Sequence, residues 1–102
     1  MVSALIEKKD RITELCRRFN VTQLFLFGSA THKSVLVEVG DLDFIVEFGD
    51  VQPGKFADSY FGLLEGLERL FNIDIDLVEA ETIENPYLKK AVEESKVSLY
   101  DL

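Results

Sequence analysis

The chain has 102 residues, 47% hydrophobic and 29% charged, with a formal net charge of −8 at pH 7. That size and composition predict one folded globular domain and exclude a disordered chain, and the acidity leaves no basic footprint for gripping duplex DNA or RNA. No apolar run approaches the ~20 residues a membrane helix needs, the N-terminus lacks a signal-peptide apolar region, and Cys16 is the single cysteine, so a cytoplasmic chain with no membrane attachment and no internal disulfide is expected.

In chain order, Ile12, Leu15, Cys16 and Phe19 follow i, i+3, i+4, i+7 spacing and predict a first helix from about Ser3 to Phe19, with Asn20 as its stop. Thr22 to Phe27 is rich in β-formers and reads as a buried strand. Ser29 is suited to cap a short helix or turn after it. Val35 to Val39 alternates as a short strand, either packed on its own domain or exposed as an edge that pairs with a partner or a second copy, which makes a homodimer worth testing.

Leu42 to Phe48 is a further strand, closed by Gly49-Asp50 and Gln52-Pro53-Gly54. Phe56, Tyr60, Leu63, Leu64, Leu67, Leu70 and Phe71 mark one face of a helix that ends at Asn72. Ile73 to Val78 is the next strand, with Ile73, Ile75 and Leu77 on one face and Asp74, Asp76 and Val78 on the other. Asn85-Pro86 is an N-cap and first-turn proline, Leu88, Ala91 and Val92 form the buried stripe of a last helix, and Val97 to Tyr100 a terminal strand. The order predicts an α/β (α+β) fold: a small mixed sheet with helices packed mainly on one face, the other face free for a site.

The chemistry concentrates in Leu26-Phe27-Gly28-Ser29, in Gly40-Asp41-Leu42-Asp43 and in Asp76. Asp41 and Asp43 point the same way from one strand, where like charges repel and Asp is disfavoured. Carboxylates gathered at a strand edge are costly unless a cation sits among them, and Mg²⁺ favours carboxylate and phosphate oxygens. Bound Mg²⁺ also makes room for a nucleotide on an acidic chain. Gly28 lets backbone approach phosphates, and Ser29 adds a hydroxyl and an N–H. Taken singly, each has a plainer reading: Gly-Ser after a strand is common, and Asp-x-Asp is often a solvated turn. The combination, in this order and with a third Asp on a later strand, is rarer.

The neighbouring candidates are weaker. His32, the only histidine, reads as a surface turn residue with a phosphate contact as the alternative; Cys16 reads as core. Asp74 shares a face with Asp76, either supporting it or replacing it as the third carboxylate, and Glu47 reads as a solvated strand end. One histidine without an orienting partner gives no Ser/His/Asp triad, and no His/Cys cluster predicts zinc.

Leu26-Phe27-Gly28-Ser29, Asp41-Leu42-Asp43 and Ile75-Asp76-Leu77-Val78 together resemble the minimal nucleotidyltransferases (MNT) of the DNA polymerase β superfamily, MntA-like proteins that are often antitoxin partners of HEPN toxins. The resemblance spans nearly the whole chain, through Val97-Ser98-Leu99-Tyr100. It implies one nucleotidyltransferase domain over 1–102, one or two Mg²⁺, and transfer of a nucleoside monophosphate, commonly AMP from ATP, to a hydroxyl, in the antitoxins a tyrosine of the HEPN partner. It further implies that Gly28 and Ser29 hold the β- and γ-phosphates, Asp41 and Asp43 the metals, and that Asp76 is the third metal carboxylate, polarising the acceptor. Where the family continues Gly-Ser with arginine and glycine, this chain has Ala30-Thr31-His32-Lys33-Ser34, leaving Lys33 or His32 as the phosphate-facing cation; Lys33 is taken as nucleotide-binding. Gly40 stands where the family often has serine. The alternative to an enzyme is a module of this fold that binds and neutralises a protein partner, or senses nucleotide without transfer.

Overall fold

The computed structural model describes residues 7–27 and 41–102, with backbone alone for Asp41. Gly28, Ser29, His32, Lys33 and the Val35–Val39 segment lie outside the described residues, as does the start of the expected first helix.

Among the described residues four strands form one sheet. Helix α1 (Lys9–Arg18) leads into β1 (Val21–Phe27); β2 (Asp41–Phe48) follows, then α2 (Phe56–Phe71), β3 (Asp74–Glu79), a 3₁₀ turn (Ala80–Thr82), α3 (Pro86–Ser95) and β4 (Val97–Asp101). The strand order is β3-β2-β1-β4. β1 runs antiparallel to both β2 and β4, whereas β2 and β3 are parallel and joined through α2, so the sheet is mixed as expected.

Burial follows strand alternation. Leu24 and Leu26 of β1, Leu42, Phe44 and Val46 of β2 and Leu77 of β3 meet Ile12 and Cys16 of α1 and Leu63, Leu67 and Phe71 of α2 in the main core. Ile73 and Ile75 pack against the same core, on the face predicted for them. Phe44 and Phe71 lie 5.9 Å apart between ring centroids, tying β2 to the end of α2. The two helices sit close together: a methyl built at Gly62 would overlap the Phe19 ring, and one at Gly66 the Leu15 side chain. Asn20 and Asn72 both take the left-handed conformation after a helix, with φ of 59° and 56°, which is the turn that frees the chain to enter the next strand.

The second face is not wholly free. α3 is capped as expected, with Asn85 Oδ1 accepting from Tyr87 N at 2.9 Å and Leu88 N at 3.3 Å. It lies on that face through Val92, which joins Phe25 and Ile45 in a smaller core. The predicted stripe of Leu88, Ala91 and Val92 therefore reduces to Val92. Leu88 is 42% exposed and Ala91 is exposed, because the helix touches the sheet over one short patch. Among the described residues, two helices pack on one face and one on a corner of the other.

Candidate functional site

The even-numbered residues Leu42, Phe44 and Val46 enter the main core, and Ile45 enters the smaller one on the opposite face. Alternation places Asp43 on the Ile45 face. On β3, Leu77 enters the main core, so Asp74 and Asp76 belong to that same opposite face; both are exposed, while Asp43 is half-buried.

The register sets these residues in rows along the ladder. Asp43 pairs with Asp76 and Asp41 with Asp74 across the parallel β2–β3 ladder. Neighbouring strands lie ~4.8 Å apart, so residues in register on one face are adjacent. Sequence reasoning placed Asp41 and Asp43 together by period two, but it held no information on which residue of β3 stands beside which residue of β2. Asp76, not Asp74, is the partner of Asp43. On its other side Asp43 pairs with Phe27, the last residue of β1, from which the chain continues to Gly28 and Ser29.

The parallel pairing that aligns these rows also fixes their setting. Among the described residues β3 is an edge strand, with β2 on one side only. The Tyr60 hydroxyl of α2 donates to the Leu77 carbonyl on it. Burial first, then the negative charges of Asp76 and Glu79, push the Tyr60 phenol above its ordinary range, so it stays protonated and able to donate. The edge is thereby anchored one residue from Asp76, and Tyr60 is a supporting residue that sequence reasoning read only as helix face.

Asp43 and Asp76 supply hard oxygen donors from adjacent strands, the donor chemistry Mg²⁺ takes. Among the described residues no three His, Cys, Asp or Glu side chains gather into a metal-holding group. Asp41 heads β2, two residues before Asp43. Cys16 is fully buried in the main core, and burial pushes its thiol up to about 12 from 9.0, which removes it from any reactive role at neutral pH. No helix among the described residues is long and apolar enough to cross a membrane.

Residues 9–99 match the nucleotidyltransferase domain family, and the chain belongs to it. Two chains of Methanocaldococcus jannaschii named as protein adenylyltransferases, MJ1379 and MJ0128, are each 31% identical to it over 96 residues, 94% of this chain and 92% of theirs. Among solved structures, one described as a minimal nucleotidyltransferase superposes with a TM-score of 0.72 at 24% identity, covering 93% of this chain and 92% of that one. A toxin–antitoxin structure with AMP-PNP gives a TM-score of 0.64 at 20% identity, covering 92% of this chain and 73% of that one. The MNT antitoxin complex with a tri-AMPylated HEPN toxin of Shewanella oneidensis gives 0.63 at 20% identity, covering 96% and 73%. At these identities the structural likeness establishes the shared fold.

Proposed function

We propose that the chain transfers AMP from ATP to a protein hydroxyl, a tyrosine of a HEPN-type partner, and acts as the antitoxin of that pair. The observation that carries the reading is the in-register placement of Asp43 and Asp76 on one sheet face, beside the strand end that leads into Gly28-Ser29. The names of the M. jannaschii relatives, the nucleotide analogue in one structural neighbour and the AMPylated toxin in another support it.

In this reading Gly28, Ser29 and Lys33 hold the triphosphate, and Asp41, Asp43 and Asp76 hold Mg²⁺. When bound, Mg²⁺ supplies neutralisation of the triphosphate and of the developing charge in transfer. The acceptor oxygen attacks the α-phosphorus, the new O–P bond forms as the bond to the β-phosphate bridging oxygen breaks, and pyrophosphate leaves. Asp76 orients the acceptor hydroxyl, whose proton passes to that carboxylate and on to water.

The test is incubation with ATP, Mg²⁺ and a HEPN-type protein, with intact-mass detection of the AMP adduct and peptide mapping to the modified residue. Tyrosine adducts that vanish with Asp41→Asn plus Asp43→Asn are expected. If that double variant labels the partner as the wild type does, the reading fails. If it silences the partner equally well without labelling, binding and not transfer is the antitoxin activity.

A further inference from the structure

Four aromatic side chains meet at the start of α2. Phe48 and Phe56 lie 5.4 Å apart between ring centroids, Phe56 and Tyr60 6.2 Å, and Tyr60 and Phe61 5.1 Å. Two of them face solvent: Phe56 is 41% exposed and Phe61 62%. Between this end of α2 and β3 runs an open groove of ≈480 Å³, walled by Phe56, Tyr60 and Phe61 on the helix and by Leu77, Val78 and Glu79 on the strand. Aromatic side chains exposed side by side are what protein interfaces gather at their centres. The charge around the groove is negative. Among its described lining residues Glu79 is the only charged one. Burial, and then the charges of Asp76 and Glu79, raise the Tyr60 phenol, so both carboxylates act on the groove wall. The cation at the head of α2, Lys55, has Asp58 beside it at 4.0 Å.

We propose that the acceptor protein docks in this groove, through an apolar side chain flanked by lysine or arginine. The inference rests on the transfer reading above and names the surface that holds the acceptor. Charge decides between a foreign protein and a second copy. Two copies meeting groove to groove would bring their Glu79 side chains together on chains of net charge −8, whereas a basic segment gains from the same carboxylates. The groove takes side chains and not an added strand, because the Tyr60 hydroxyl already holds the Leu77 carbonyl on this stretch of β3. Position favours the acceptor over a protein unrelated to transfer. Val78 shares a strand face with Asp76, two residues or roughly 6.6 Å along β3. A protein seated on the groove therefore borders the Asp43–Asp76 row. The anchoring residues are distinct from Asp41, Asp43 and Asp76, so docking and transfer are separable by substitution.

The experiment is calorimetric titration of the HEPN-type protein of the transfer assay into the wild-type chain and into Phe61→Ala, Glu79→Lys and Tyr87→Ala, with urea unfolding to show that each variant folds. Tyr87, 85% exposed on α3, is the control for an aromatic elsewhere on the surface. Phe61→Ala is expected to weaken binding by about tenfold or more, and Tyr87→Ala to leave it unchanged. Glu79→Lys is expected to weaken binding and to flatten its dependence on salt. In transfer assays Phe61→Ala is expected to raise KM for the acceptor with KM for ATP unchanged. Wild-type affinity in Phe61→Ala, an equal loss in Tyr87→Ala, or no binding by the wild type overturns the proposal. So does a wild type that sediments as a dimer beside a monomeric Phe61→Ala, which assigns the groove to a second copy. Binding that depends on Phe61 in a chain that transfers no AMP leaves the groove standing while the transfer reading falls. Transfer undiminished by Phe61→Ala at subsaturating acceptor does the reverse.

Discussion

Asp43 and Asp76 stand side by side in the parallel ladder between β2 and β3, two acidic residues in register on one sheet face. Like charges directly opposite each other destabilise a sheet. Under the proposed function a ligand needs both carboxylates, which predicts a trade between stability and function. Asp76→Asn, measured by urea unfolding in EDTA, is expected to stabilise the chain by roughly 0.2–1 kcal/mol. Asp76 is the better choice than Asp43, which makes a further interaction within the fold. Added Mg²⁺ with a non-hydrolysable ATP analogue is expected to reverse the order of the two proteins, because only the wild type keeps the full donor set.

Much of this arrangement was legible in the residues. The β-rich runs before Gly28 and Gly49 and the stripe from Phe56 to Phe71 have strong periods, and the helix and strands formed there within one or two residues of the expected ends. The shared face of Asp74 and Asp76 was equally readable from alternation. The register of β2 against β3 was not, because two strands joined through a helix carry no local signal of which residues meet. The last helix shows the same limit from the other side: Leu88, Ala91 and Val92 have helical spacing, yet spacing says nothing of how much sheet lies opposite, and only Val92 finds a neighbour to bury it. The close approach of α1 to α2 at Gly62 and Gly66 left no hydrophobic signal at all, since a glycine's contribution there is the side chain it lacks.

That approach gives a prediction of definite sign. In an open helix, Gly→Ala is stabilising by about 1 kcal/mol. At Gly62 the added methyl meets the Phe19 ring, and at Gly66 the Leu15 side chain. Gly62→Ala is expected to destabilise by about 1–3 kcal/mol through overpacking, with Gly66→Ala milder because Leu15 has more freedom to shift than a ring. Chemical unfolding midpoints of the two variants check both the sign and the order.

Tyr60 anchors the edge strand through its hydroxyl bond to Leu77. Tyr60→Phe keeps the ring and removes the donor, so a loss of about 0.5–1.5 kcal/mol is expected. Hydrogen exchange provides the sharper reading: the amides of β3 are expected to exchange faster in the variant, while those of β1 in the sheet interior change only with global stability.

Cys16 adds to the loss of stability at alkaline pH. Its thiol rises from 9.0 to about 12 because burial disfavours the thiolate, so the folded state holds the proton more tightly than the unfolded chain. The resulting stability is fully present below pH 9 and is lost as pH rises toward 12. Cys16→Ala is expected to be less stable at neutral pH, from the cavity, but to lose stability less steeply above pH 9. Unfolding curves taken at several alkaline pH values give the two slopes, and the native thiol is expected to resist thiol reagents until the chain unfolds.

The most direct test of the whole account is the single-turnover rate of AMP transfer to a HEPN-type acceptor for the wild type and for Asp76→Asn, at saturating ATP and Mg²⁺. The account predicts measurable transfer by the wild type and a loss of about 10²-fold or more in Asp76→Asn with acceptor binding retained. Equal rates for the two proteins, or a wild type that binds its partner and transfers nothing, would contradict it.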